Sequence, residues 1–551
     1  MPTSPELADA PLGSRTSLSL RAALLEALQT HRDRPFLVDQ GKVITYRRVR
    51  DLSFAFLAWL STRNVPPGCS VALLRGGAGT GDAPGTESLQ RLIAALALLI
   101  GNHVLIEKPT PLTRIILYKE DGLDPAQDQL QSPAAANHPQ AGNRQPPQPR
   151  RRRLPNGLPV PRDWLRSVRE GLDLPAILRA HPRQRKPDAP CLIACSSGTT
   201  GVPKRIPITE AQLLQRAHRL LQAEASEEGD VLWYNMQGLT NQSLLYLIVT
   251  ILRGGTLTPT ISQATHHILS PAMFLLKGEE LRQTATTNGE RPYKEVKVVG
   301  SAVSPPLFEK LSQCYQRVRV SYGSTEVGPI ASKLVSTVAE LEGVGTVYPD
   351  IAVEIRDDNQ QPLPPGCEGE VTLQSDSAVS SYLKNHELTA KAFRDGWFFP
   401  GDRGLINAAG ELCIVGRSSD MFNIGGVKIN AAQQDGILLA CQHVQDAMVF
   451  TQAGAHGLPL LSALVVLDPD VERAEAMAIF AAAYRARGDN FARIPLHFYF
   501  VAAIPRNENG KPMRQQAETV ISAITPVTLR DFGHDLIPLG PFSAPLQSAQ
   551  H

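Results

Sequence analysis

Apolar positions along this chain recur with two different periods, and the order in which the periods change sets the first expectations. Residues 19–30 carry apolar side chains at helical spacing. Phe36, Leu37 and Val38, followed by Val43, Ile44, Thr45 and Tyr46, read as a short hairpin, and residues 47–60 read as the next amphipathic helix. Leu192, Ile193 and Ala194 read as the end of a buried strand. Strand-like and helix-like runs then alternate at 231–234, 242–252 and 307–315, with 296–299 and 318–320 bracketing the last. Such alternation predicts a layered α/β domain. Past Gly410 the pattern becomes smaller: a strand over 411–415, a helix over 431–440, a strand over 463–467, a helix over 471–487 and a strand over 497–501. The fold class expected is therefore α/β, a large N-terminal layered domain followed by a small, mobile C-terminal α+β lobe. The boundaries expected are an extension over 1–18, the large domain over 19–416, the lobe over 417–525 and a tail over 526–551.

Composition changes this picture in one place. Residues 124–162 shift to Gln, Pro, Ala and Asn and contain the basic run Arg150, Arg151, Arg152 and Arg153, which predicts a disordered surface insertion within the large domain. The four arginines could touch an anionic lipid or RNA; a solvated face is the plainer account. With 551 residues, 42% of them hydrophobic, the chain is long enough for two or more domains with large cores. The net charge of +2 with interspersed signs gives no reason to expect a nucleic-acid surface. Cys69, Cys191, Cys195, Cys314, Cys367, Cys413 and Cys441 form no Cys-x-x-Cys pair, which suits reduced thiols, and Cys191 and Cys195 are expected as buried small apolar residues. The first residues include Glu6 and Asp9 and lack an apolar core, and the apolar run 92–100 is too short to span a bilayer. A soluble cytoplasmic protein without stable membrane insertion is expected.

The chemistry concentrates in a few loops. After Cys195 come Ser196, Ser197, Gly198, Thr199, Thr200, Gly201, Val202, Pro203 and Lys204, a loop of hydroxyls and glycines closed by one cation. Hydroxyl and amide donors with a point charge suit phosphates, although no Gly-Lys-Ser/Thr of a Walker A loop is present; a flexible linker is the competing account. Gly300, Ser301 and Ala302 end one apparent strand, and Ser321, Tyr322, Gly323, Ser324, Thr325 and Glu326 end another, where open α/β sheets place ligands. Tyr322 can stack on a flat base, Thr325 can bond a phosphate oxygen and Glu326 can bind Mg²⁺; a surface turn with one solvated acid is the alternative. Asp402 in a glycine turn can accept from two ribose hydroxyls, and Arg417 can reach ribose or phosphate. Lys511 stands at an apparent loop tip, where a lysine alone would be an ordinary solvated residue.

In order and spacing these motifs resemble those of the AMP-forming adenylating enzymes, the superfamily of acyl-CoA synthetases, adenylation domains and luciferases. The resemblance runs over about residues 19–517 and is weakest over 72–190. It implies an AMP-forming acid–thiol ligase that uses ATP and Mg²⁺ to turn a carboxylic acid into an acyl-adenylate and then passes the acyl group to a thiol. The thiol implied is coenzyme A, or alternatively the phosphopantetheine of a separate carrier protein; a catalytically weak nucleotide-binding relative is the remaining alternative. By the same resemblance, residues 196–204 would wrap the β- and γ-phosphates, and Tyr322 would stack on adenine with Gly300, Ser301 and Ala302 opposite. Thr325 would hold the α-phosphate, Glu326 the Mg²⁺, and Asp402 and Arg417 the ribose. Lys511 would bridge the substrate carboxylate and the α-phosphate, and Gly425 and Gly426 would line the thiol's path after the lobe rotates about residues near Arg417.

Departures from the family pattern are local. Pro400 stands where Thr or Ser usually precedes Gly-Asp, Ser419 occupies a hinge position that is commonly Asp or Lys, and Ser301 replaces a common second glycine. Trp233, Tyr234, Met236 and Gln237 are candidates to line the acyl pocket, with core packing an equal account of the first two.

Overall fold

The computed structural model describes residues 19–73, 84–107, 113, 115–119, 156–160, 173–181, 185–196, 204–234, 240–288, 292–424, 427–453, 459–486, 497–506, 512–522 and 524–528. The chain divides into two compact units, residues 1–264 with 376–386, and residues 265–375 with 387–551. The architecture is α/β, with mixed sheets flanked by helices and a small α+β lobe toward the C-terminus.

In the first unit, local chemistry starts each element where the apolar periodicity does. Ser19 Oγ accepts the Ala22 N–H at 3.2 Å and opens the helix Leu20–Thr30. The strands Pro35–Asp39 and Lys42–Thr45 pair antiparallel around Gln40 and Gly41, both at positive φ, the two-residue turn that matches strand twist. Thr45 then caps the helix Tyr46–Thr62, whose Val49, Leu52, Phe56 and Leu60 are buried. The parallel strands Pro35–Asp39, Thr256–Thr258 and Val231–Trp233 lie side by side.

A six-stranded sheet of the same unit runs Asn156–Val160, Ile115–Lys119, Ser70–Leu73, Val104–Ile106, Pro190–Ser196, Lys204–Thr209, all parallel except the last. The apolar run 92–100 lies in the helix Pro84–Ile100, buried on every side: Leu92 to Ile100 have at most 5% of their surface exposed. Among the described residues no helix is long and apolar enough to cross a membrane.

Two expectations need correction. The segment 124–162 is not disordered throughout, because Asn156–Val160 is an edge strand paired parallel with Ile115–Lys119. An edge tolerates Pro159, whose missing N–H costs no ladder bond when it faces outward, so the proline-rich composition hid the strand. Residues 124–155, 161 and 162 lie outside the described residues. Because Ile115–Lys119 and Asn156–Val160 run parallel, the chain between them must cross back over the sheet. On the Gln/Pro-rich composition of 124–155, replacing that segment by a Gly/Ser linker of about fifteen residues is expected to leave activity and melting temperature nearly unchanged, whereas deleting 124–162 outright removes a strand and should lower the melting temperature; comparing the two variants by thermal unfolding checks this. Cys191 is buried as expected, but Cys195 is only half-buried, its N–H donating to Glu107 Oε2 at 2.9 Å at the end of its strand.

His103, at the start of the central strand Val104–Ile106, is fully buried and sets a pH limit on stability. Its ring sits 5.7 Å from that of His181, and neither of its ring nitrogens has a hydrogen-bond partner among the described residues. Burial, then the neighbouring His181 and Arg185, pull its pKa from 6.5 down to about 4. The unfolded chain thus binds this proton more readily than the folded one below pH 6.5, so stability falls as pH drops from about 6.5 to about 4. At the lower end the loss is about 3 kcal/mol. A His103→Leu variant should show a flatter dependence of melting temperature on pH across this window.

In the second unit, the parallel strands His266–Leu269, Tyr293–Val298 and Tyr315–Ser324 alternate with the helices Pro271–Asn288 and Pro305–Cys314, and Gly328–Val335 folds back antiparallel on the last strand. A second, antiparallel sheet contains Ala352–Arg356, Gly369–Gln374, Trp397–Phe398, Asp402–Ile406 and Leu412–Arg417. Leu412–Arg417 pairs with Asp402–Ile406, which ties the beginning of the smaller pattern to this sheet.

The lobe proper is a four-stranded sheet of Val444–Ala453, Pro459–Leu467, His497–Phe500 and Val527–Thr528. On one face Leu438 of the helix Ala431–Leu439 and Met477 and Phe480 of the helix Arg473–Ala486 pack with Val449, Ala463 and Phe498. Met448, Phe450, Leu464 and Tyr499 form a smaller cluster with Ile504 and Ala517.

Candidate functional site

In the second unit the predicted loops gather at one edge of the parallel strands. Val298 is opposite Val320 in the ladder, so Gly300, Ser301 and Ala302 leave their strand on the same side as Ser321, Tyr322 and Gly323 leave theirs. Gly300 has a φ of +90°, a backbone that a residue with a Cβ adopts only under strain. Beyond Tyr322 the strand bulges, Ser324 pairs with Gly328, and Thr325, Glu326 and Val327 form the hairpin tip, with the Val327 N–H on Ser324 Oγ at 3.1 Å. Glu326 is only 7% exposed. The Ser321 hydroxyl donates to the Ala331 carbonyl at 3.3 Å, within its own hairpin.

Three residues far apart in sequence meet here. The Tyr322 hydroxyl donates to Asp402 Oδ2 at 2.5 Å, and Arg417 Nε lies 3.1 Å from Asp402 Oδ1. Asp402 and Arg417 are direct partners across neighbouring antiparallel strands, which fixes the pair's geometry. Burial, reinforced by the Asp402 carboxylate, pushes the Tyr322 phenol well above its ordinary value, so it remains a donor. Burial pulls the Arg417 guanidinium down, but Asp402, with Tyr322, Asp420 and Glu326, outweighs it and raises it net. A carboxylate has about four acceptor positions. One donor on each oxygen leaves each able to accept again, as two adjacent hydroxyls would require.

The close packing behind this pair depends on Gly416 within the strand Leu412–Arg417, where a Cβ would come 2.4 Å from Asn430 Nδ2. Asn430 donates to the Val415 carbonyl at 3.0 Å and accepts the Ala432 and Gln433 N–H groups, capping the helix Ala431–Leu439. Sequence reasoning missed Asn430, although an Asn just before a helical run is a capping signal.

The segment carrying Lys511 is outside the described residues, but both of its ends are anchored in this unit. Arg506 and Pro512 bridge, closing its base. Arg506 makes a two-pronged pair with Asp446 at 2.5 and 3.0 Å, and Arg514 binds Asp435 at 2.6 Å and the Val449 carbonyl at 2.7 Å. Burial raises the Asp435 pKa, with Arg514 working against it.

In the first unit, Ser196 and Lys204 pair directly across the antiparallel strands Pro190–Ser196 and Lys204–Thr209. Ser197, Gly198, Thr199, Thr200 and Gly201, which join them, lie outside the described residues, as do Gly425, Gly426, Met236 and Gln237. Lys204 Nζ donates to the Tyr382 hydroxyl at 3.4 Å and sits 4.9 Å from the centre of its ring. No local pattern pointed to Tyr382, which lies in an irregular stretch. Trp233 and Tyr234 are buried at 7% and 5% exposure, with Trp233 Nε1 on the Pro259 carbonyl at 3.1 Å, as a packing role requires. Among the described residues no group of three or more His, Cys, Asp or Glu could hold a metal ion unaided. A Mg²⁺ here would arrive with phosphate oxygens and need only a carboxylate such as Glu326, which fits that ion's habit.

Residues 98–383 match the model of the AMP-binding enzyme family. The oxalate–CoA ligase of Saccharomyces cerevisiae is 28% identical over 239 residues, 41% of this chain and 42% of that protein. The 4-coumarate–CoA ligase-like 9 of Oryza sativa subsp. japonica is 26% identical over 351 residues, 59% of this chain and 63% of that protein. These matches span less than two thirds of either relative. Among solved structures, the amide bond synthetase McbA of Marinactinospora thermotolerans superposes with a TM-score of 0.71 at 20% identity, covering 91% of this chain and 99% of that one. The o-succinylbenzoate CoA synthetase MenE of Bacillus subtilis, solved with its acyl-adenylate, gives 0.70 at 18% identity over 90% and 97% of the two chains. At these identities the likeness concerns the fold.

Proposed function

We propose, from the fact that this chain belongs to the AMP-binding enzyme family, that it activates a carboxylic acid with MgATP to an acyl-adenylate and transfers the acyl group to coenzyme A in the cytoplasm. The observation that carries the reading is the Tyr322–Asp402–Arg417 constellation, a carboxylate held by two donors and still able to accept from a diol, beside an aromatic ring. In this reading Asp402 accepts from the ribose, Tyr322 stacks on adenine against Gly300, Ser301 and Ala302, and Arg417 fixes Asp402. Thr325 bonds the α-phosphate, and Glu326 holds the Mg²⁺, which neutralises phosphate charge. Residues 196–204 receive the β- and γ-phosphates, with Lys204 as the point charge. The acid's carboxylate is itself the nucleophile, so no general base is needed; what the chain contributes is alignment and relief of repulsion between two anions. Lys511 supplies that relief. Gly425 and Gly426 then line the path of the thiol.

The test is a pyrophosphate-release screen over short, medium, long and aromatic acids and the amino acids, each run with coenzyme A, with a carrier protein bearing phosphopantetheine, and with an amine. Acid-dependent pyrophosphate release completed by a thioester of coenzyme A is the expected result. Completion only with the carrier protein moves the acceptor there, and no release with any acid rejects the ligase reading.

A further inference from the structure

We infer that Tyr382 is a positioning residue for Lys204, holding its ammonium group ready for the phosphate chain of the nucleotide; this rests on the phosphate role proposed above for Lys204. The phenol oxygen accepts from Lys204 Nζ at 3.4 Å while the ring face lies 4.9 Å from the same atom. A lysine side chain loses rotamer freedom when it is immobilised. A neutral phenol that already constrains it removes part of that loss from the binding step. It does so without consuming the charge, since an ammonium group has three donors and the hydroxyl uses one.

The platform beneath Tyr382 is rigid, which a positioning role requires. Tyr382 is 4% exposed. The next residue donates its backbone N–H to the Arg205 carbonyl at 2.9 Å, one residue along from Lys204, and the Leu383 side chain packs on Ala72, Ile106 and Ile193 at the sheet's strand ends. Upstream, the helix Glu210–Ala223 grips the same segment. Arg216, fully buried, donates to the Ser377 carbonyl at 2.8 and 3.2 Å, Arg219 to the Ser377 hydroxyl at 2.7 Å, and Gln212 to the Ala378 carbonyl at 2.6 Å. Two buried cations spent on one serine make this segment a fixed strut rather than a passing loop.

The experiment is a double-mutant cycle read by calorimetric titration of the full chain with MgATP and, separately, with AMP. Tyr382→Phe keeps the ring face and removes only the hydroxyl, so it is expected to fold with an unchanged melting temperature and to weaken MgATP about 3- to 10-fold. Lys204→Ala should weaken MgATP by about 10- to 100-fold. In the Lys204→Ala background, Tyr382→Phe should add nothing, because the hydroxyl acts through the missing lysine. AMP, which lacks the β- and γ-phosphates, should bind all four proteins alike. Tighter or unchanged MgATP binding by Tyr382→Phe overturns the inference, and so does a loss that persists without Lys204 or extends to AMP. If Lys204→Ala itself binds MgATP normally, the phosphate role of Lys204 fails as well, a result distinct from a Lys204 effect without a Tyr382 effect. Should Tyr382→Phe melt early, the same comparison made with Tyr382→His, read as the MgATP-to-AMP affinity ratio, decides between the same outcomes.

Discussion

Replacing Lys511 by alanine is expected to slow adenylate formation by roughly two to four powers of ten while leaving the fold intact. In the proposed reaction the pair are both anions, a carboxylate and an α-phosphate, and their repulsion is greatest as the new bond forms. A single ammonium group between them acts where charge is being brought together, so its loss falls on the chemical step more than on ground-state binding. The fold should tolerate the change because the contacts that close the base of this segment belong to other residues: Arg506 on Asp446, and Arg514 on Asp435 and the Val449 carbonyl. Thioester formation from a supplied acyl-adenylate needs no such bridge and should survive. The two half-reactions are measured separately, as pyrophosphate release and as thioester formed from synthetic adenylate. Unchanged pyrophosphate release would show that Lys511 is an ordinary surface lysine.

Elements whose chemistry is local were readable from the chain. The helix from residue 19, the hairpin that ends at Tyr46 and the helix after it follow from neighbouring residues, which the caps at Ser19 and Thr45 and the Gln40–Gly41 turn explain, and the strand-end turns at Gly300 and Tyr322 are where the periodicity stops. The strand Val444–Ala453 was not readable. Ala447 and Val449 enter one apolar cluster and Met448 and Phe450 another, so the strand is apolar on both faces and the period of two disappears. Asn156–Val160 was hidden for the opposite reason, an edge position that tolerates proline and glycine. In the site, the residue types at strand ends were legible because they sit in glycine-marked turns. Their mutual contacts were not: Tyr322 and Asp402 are 80 residues apart, and Lys204 and Tyr382 are 178 apart. No local pattern encodes a pairing that the sheet order and the return of 376–386 to the first unit create.

Asp402→Asn is expected to weaken both MgATP and AMP by about 10- to 100-fold, with a smaller effect on the turnover of the nucleotide once bound. The aspartate carries two fixed donors, the Tyr322 hydroxyl at 2.5 Å and Arg417 at 3.1 Å, and is only 5% exposed. Asparagine can still accept from the buried phenol, which avoids the cost of about 1–3 kcal/mol that alanine would impose by stranding that hydroxyl. What asparagine cannot do is present two anionic oxygens. Its amide nitrogen takes the place either of the oxygen that faces Arg417, where donor meets donor, or of the one that faces Tyr322, whose hydroxyl must then turn and accept; in both cases one ribose hydroxyl loses its acceptor. The ribose is common to ATP and AMP, so the two ligands should lose affinity together, unlike the polyphosphate-selective loss expected at Lys204. Titrating both ligands into wild type and Asp402→Asn decides the point. Unaltered affinities with a lowered melting temperature would make Asp402 a structural tie between Tyr322 and Arg417, and the diol would have to be sought on another acceptor.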